Sequence, residues 1–264
     1  MVELVTPMQS FVSWPLWVQI LVVVVPLTAA TIVLTRVSRR GVASERGDYS
    51  AATALMRFAG AAFVFLGAFA IVTAWQSSNA TLGDIQKEFS SATSVAQYTR
   101  GIDAPEAQKL RETLLAYAKE VSEVELANSP KIEISNAAEE LFYEISDATY
   151  ALAQTDYLSS QEVSNLFKDA DTFEQARNSR LAHSTALVPD AIMWVLFAMG
   201  AVMIVANGLF PSGPRAFVKW MQSIGGLIVV VLVLGAVIVI QSGDASQAAY
   251  FRPIEVFNAT FAGL

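Results

Sequence analysis

FAGAAFVFLGAFAIVTAW, residues 58–75, carries no charged side chain, and its only hydroxyl is that of Thr73. Wound as a helix at about 1.5 Å per residue, such a run nearly matches the ~30 Å hydrocarbon core of a bilayer. Three more uncharged stretches share its character: Leu16–Leu34, Ala191–Phe210 and Gln222–Ile240. A soluble protein can bury one such helix in its core, but four define a membrane protein. Composition agrees, with 54% hydrophobic and 16% charged residues where a soluble domain averages about 25% charged. A formal charge of −7 excludes a general basic nucleic-acid binder. With no cysteine, disulfides, thiolate zinc sites and cysteine nucleophiles are excluded too.

Charge placement predicts orientation. No basic residue precedes the first stretch, so it reads as a span and not as a cleavable signal. Arg36, Arg39, Arg40 and Arg46 follow it, and Arg215 and Lys219 sit between the third and fourth spans, whereas the two terminal segments together hold only Arg252. By the positive-inside rule both termini face outward, and so does the long segment 76–188. Trp14, Trp17, Trp75, Trp194 and Trp220 lie at or near predicted span ends, where amphipathic rings favour the headgroup layer.

The long segment reads as helical throughout. Ile85, Phe89, Ala92 and Val95 recur at helical spacing and carry the second span outward to a C-cap at Gly101. Asp103, Pro105 and Glu106 form a start signal for a helix whose stripe is Leu110, Leu114, Tyr117, Val121 and Val124, broken at Asn128, Ser129 and Pro130. Another helix follows Ser135 with Leu141, Phe142, Ile145, Ala148 and Leu152 inward. The last opens at Ser159 with Glu162 completing a capping box and runs toward the third membrane span near Pro189.

These residues resemble the bestrophin-like bacterial membrane proteins, a family defined as a domain of unknown function. The resemblance rests on Gly67–Gln76 (GAFAIVTAWQ) leading into a helical domain, on Arg177, Arg180 and Leu181 followed by Pro189 and Trp194, and on a short tail with Pro253 and Phe257. It covers roughly residues 55–260. It implies four spans with a helical insert between the second and third. Bestrophins proper are pentameric anion channels, so the resemblance also suggests a channel. Their large domain is cytoplasmic, whereas the charges here place the insert outside.

Candidate positions follow from the spans. Arg57 at the start of span two is either part of an anion-attracting ring or a residue that snorkels to the headgroups. Phe58, Phe65 and Phe69 share one helix face, as a hydrophobic gate in an oligomer or as ordinary lipid or packing contact. Gly60 and Gly67 with Ala61 and Ala68 form a small-residue seam at seven-residue spacing, suited to close helix approach. Arg177 and Arg180 are candidates for lipid or anion contact, or a solvated face paired with Asp171 or Glu174. His183, the only histidine, reads as a surface or interfacial residue. No catalytic, metal or cofactor motif is found, and the spans hold no Asp, Glu, Lys or His in their middles.

The sequence therefore predicts an all-α, four-helix transmembrane protein of the bacterial inner (plasma) membrane with an extracytoplasmic helical domain. Residues 1–75 hold the N-terminal arm and spans one and two, 76–188 the outer domain, and 189–264 spans three and four with an outward C-terminal tail. Expected partners are the lipid bilayer and either copies of the same chain or other membrane-complex proteins, and not nucleic acid. Two functions fit: a homo-oligomeric anion channel, or a non-catalytic accessory or scaffold subunit whose outer domain docks partner proteins.

Overall fold

The computed structural model describes residues 11, 14–41, 49–127, 134–183, 188–209, 216–242 and 247–261, and among them there is no strand. The helices in chain order are α1 (Leu16–Gly41), α2 (Tyr49–Gln97), α3 (Pro105–Glu120), α4 (Asn136–Ala153), α5 (Ser160–Ala182), α6 (Asp190–Leu209), α7 (Ala216–Ser242) and α8 (Gln247–Phe261). A π-helical turn, Val121–Glu125, closes α3. The chain divides into two compact units, residues 1–75 with 186–242 and residues 76–185 with 243–264.

The first unit holds α1, α6, α7 and the part of α2 up to Trp75. Leu16–Val37, Arg57–Gln97, Asp190–Gly208 and Trp220–Ile240 are each long and apolar enough to cross a membrane, as the uncharged runs predict. Phe63, Ala70, Met193, Leu196, Val230 and Leu234 are buried in its core. Lipid tails are as apolar as these side chains, so packing and interhelical hydrogen bonds must hold the bundle. Such bonds are present among the described residues: Thr35 donates to Ser223 Oγ at 3.2 Å and Gln222 to Asn207 Oδ1 at 3.3 Å. Gln19, buried in an apolar helix, donates instead to the Trp14 carbonyl at 2.7 Å.

The second unit is built on α3, α4, α5, α8 and the residues of α2 from Gln76 onward. Ile85, Phe89, Leu110, Tyr117, Ile145 and Phe173 are among its buried residues. Its helix starts largely follow the sequence signals. The Ser135 hydroxyl accepts from the Ala138 N–H at 3.3 Å, and Ser159 with Glu162 forms a complete capping box. Gly101 has a φ of 77°, the left-handed conformation that glycine adopts without steric penalty after a helix.

Three details differ from the sequence reading. The N-cap of α3 is Ala104, one residue beyond Asp103, with Pro105 at the first helical position and no side-chain cap. The π-helical turn widens the spiral after Val121, so the stripe skips Val124, which is 38% exposed, and turns Glu125 inward at 0%. The C-terminal segment is not a tail. It forms α8, whose Tyr250, Ile254, Phe257 and Phe261 are buried in the core of the second unit. Asn128, Ser129 and Pro130 lie outside the described residues, as do 184–187 in the expected junction before Pro189.

The capping box supplies a first expected result. Ser159→Ala removes an acceptor for the Glu162 N–H and should lower the stability of the second unit by about 1 kcal/mol in thermal or denaturant melts. Hydrogen bonds from the Ser159 side chain and backbone hold the Glu162 carboxyl below its ordinary value. A depressed carboxylate stabilises above its unfolded value and loses that contribution as pH falls through the folded one. The acid side of the melt profile should therefore flatten in the Ser159→Ala protein.

Candidate functional site

Helix α2 has two unlike sides in the first unit. Phe63, Gly67, Ala70 and Ala74 are buried in the bundle. An added Cβ on Gly67 would run into Val233 Cγ1 of α7, so α2 and α7 approach as closely as a missing side chain allows. Around the helix, Phe58 is 74% exposed, Phe65 72% and Phe69 51%, and Arg57 is exposed beside them. The four candidate pore or gate residues thus share one uncovered side of a single chain. The predicted small-residue seam splits between the two sides. Gly67 faces α7 and Gly60 lies 3.5 Å from Met203 Cε of α6 as judged from an added Cβ, whereas Ala61 and Ala68 are exposed with the phenylalanines.

The composition of that uncovered side sets it apart. Exposed residues of α1 and α7 include Val25, Val33, Ile228 and Leu232, the branched aliphatics expected against lipid tails. On α2, Phe58, Phe65 and Val72 alternate with Ala54, Ala61 and Ala68, each series at seven-residue spacing and all exposed. Bulky side chains separated by alanines make ridges and grooves into which a second helix can pack.

Arg177 and Arg180 occupy neither of the surroundings the sequence suggested. Both are buried, at 3% and 0% exposure, so they meet neither headgroups nor a solvated face with Asp171 and Glu174. Arg180 Nε donates to Glu88 Oε2 at 2.5 Å, and its Nη2 donates to Glu125 Oε2 at 2.7 Å. The Tyr117 hydroxyl donates to Glu88 Oε1 at 2.5 Å and accepts from Arg177 Nη1 at 3.3 Å. Arg177 Nη1 lies 3.8 Å from Glu125 Oε1, with its guanidinium over the rings of Phe142 and Tyr117.

Buried charges persist only when paired and hydrogen-bonded, and here two guanidinium groups face two carboxylates. Burial, followed by the Glu88 charge, pushes the Tyr117 phenol well above its ordinary value. Burial opposes the charge on Arg180, but Glu88, Tyr117 and Glu125 outweigh it and raise Arg180 well above the usual arginine value. The cluster ties α2, α3, the π-helical turn and α5 together at one point. At the surface, His183 Nδ1 lies 2.6 Å from Asp84 Oδ2, and Ser179 donates to the other oxygen of Asp84 at 3.0 Å.

Four apolar helices of spanning length, packed through glycines and polar side chains, define a multi-span helical membrane protein. Its family follows from comparison: the bestrophin-like domain profile matches residues 21–243, and the chain belongs to the bestrophin-like family. No curated protein and no solved structure matches it.

Proposed function

We propose that this protein assembles as a homo-oligomer and forms an anion-conducting pore in the bacterial inner membrane. The observation that carries the reading is the uncovered side of α2, where phenylalanines and alanines alternate at seven-residue spacing beside Arg57. Alanine grooves receive the neighbouring subunit's helix, and the phenylalanines constrict the axis. A ring of phenylalanines gates by dewetting, and a ring of arginines at its mouth favours anions. Membership of the bestrophin-like family supports the channel class. The distribution of Lys and Arg supports N- and C-termini outside, with the second unit extracytoplasmic.

The test is iodide or chloride flux into vesicles reconstituted with purified protein. Flux should exceed that of empty vesicles, rise severalfold in Phe65→Ala as the constriction widens, and lose anion preference in Arg57→Ala. Protein that is folded and oligomeric yet passes no more anion than empty vesicles would overturn the channel and leave the scaffold role.

A further inference from the structure

The second unit contains a cavity that plays no part in the proposed pore. Where α4 and α5 meet, Ser146 and Thr149 on one helix oppose Ala170 on the other, and these small side chains leave a cleft of about 330 Å³. Aromatic pairs line it. Phe142 and Phe173 have ring centroids 5.7 Å apart, and Tyr150 and Phe167 have theirs 5.0 Å apart. Asp171 and Glu174 line the same cleft, and no basic side chain does. Both carboxylates are exposed at the rim. Asp171 accepts one bond from Gln175, at 2.8 Å.

We infer that this cleft binds an organic ammonium ion, its alkyl groups held against the aromatic walls and its charge facing Asp171 and Glu174. Each alternative class fits less well. An uncharged apolar ligand would leave the two rim carboxylates without a counter-charge. A hard metal ion needs six or more oxygen ligands, and four of the walls are aromatic. A folded protein partner could not enter a cavity of this volume. An alkylated ammonium satisfies both halves, because its charge is spread over methyl groups that pack on ring faces. The unit already uses this chemistry internally, with the Arg177 guanidinium 5.3 Å from the Phe142 ring centroid. That arginine does not compete for the rim, since it is buried and faces Glu125 at 3.8 Å.

The experiment is calorimetric titration of the full chain in maltoside detergent with choline and, in parallel, with 3,3-dimethyl-1-butanol, which has the same shape without the charge. Choline should saturate, and the neutral isostere should bind at least about tenfold more weakly. Glu174→Gln and Phe167→Ala should each weaken choline by roughly three- to thirtyfold. Glu174→Gln, on the exposed rim, should leave the melting temperature unchanged and serves if Phe167→Ala fails to fold. A further arm uses glycerophosphocholine. Binding equal to that of choline assigns the cleft to a lipid headgroup, and binding of choline alone assigns it to a free ammonium ion. Failure of choline to saturate, equal binding of the isostere, or wild-type choline affinity in Glu174→Gln would each overturn the proposal.

Discussion

Arg180→Met should destabilise the second unit by about 3–5 kcal/mol, because it removes one partner of a buried ionic cluster and strands the others. For a unit of this size that corresponds to a fall of roughly 10–20 °C in melting temperature. The loss is not that of one hydrogen bond. Glu88 loses both guanidinium bonds and keeps only the Tyr117 hydroxyl, while Glu125 keeps Arg177 at 3.8 Å and the Ser135 N–H at 3.2 Å. The pH dependence carries the signature. Arg180 is raised above its unfolded value, so in the wild type its contribution is present throughout the physiological range and is lost only as strongly alkaline pH is reached. In Arg180→Met the uncompensated carboxyl is easier to bury when protonated. The variant should therefore regain stability as pH is lowered through the carboxylate range. The double change Glu88→Gln, Arg180→Met, which leaves Glu125 facing Arg177 at 3.8 Å, should recover part of the loss at neutral pH. A variant that melts like wild type at every pH would show that the cluster adds nothing to stability.

The second large effect belongs to the membrane helices. Gly67→Ala should destabilise the first unit by about 1–3 kcal/mol, through overpacking against Val233. Valine has essentially one favoured side-chain rotamer in a helix, so Val233 cannot swing clear of an added methyl and α2 must move away from α7. Gly60→Ala is the control, since its Cβ would meet only the flexible end of Met203 at 3.5 Å. That substitution should be near neutral or slightly stabilising through helix propensity. Val233→Ala in the Gly67→Ala background should restore the detergent melting temperature. No restoration would mean that the two helices do not meet at this point.

How legible each feature was in the sequence follows from the distance over which its cause acts. The spans are set by local composition, so uncharged runs such as Phe58–Trp75 identified them directly. Ser159 with Glu162 was equally visible, because a capping box acts across three residues. The arginine cluster was not. Glu88 and Arg180 are 92 residues apart, and a search for partners on nearby turns of the same helix offered Asp171 and Glu174 instead. Glu125 was hidden by the π-helical turn, which breaks the 3.6-residue period on which stripe counting depends. The α8 helix is different, because its signal was present. Tyr250, Ile254, Phe257 and Phe261 recur at i, i+4, i+7 and i+11, the pattern of a buried helix face, yet the sequence reading makes the segment only a short tail. On α2, the sequence singles out Phe58, Phe65 and Phe69 as a gate or ordinary lipid or packing contact, and the structure adds that they are exposed on one side where phenylalanine alternates with alanine.

The burial of α8 also sets an order of events during synthesis. Phe257 packs on Phe89 at 5.9 Å between ring centroids, and the Tyr250 hydroxyl bonds Ser78 at 2.7 Å. Both partners leave the ribosome long before α8 exists, and α6 and α7 must be made in between. Until the final helix emerges, the nascent second unit presents an open apolar wall around Phe89. Closing that wall is a long-range contact, slow to form on entropic grounds. The chain thus completes its second unit only after the last two spans have been synthesised.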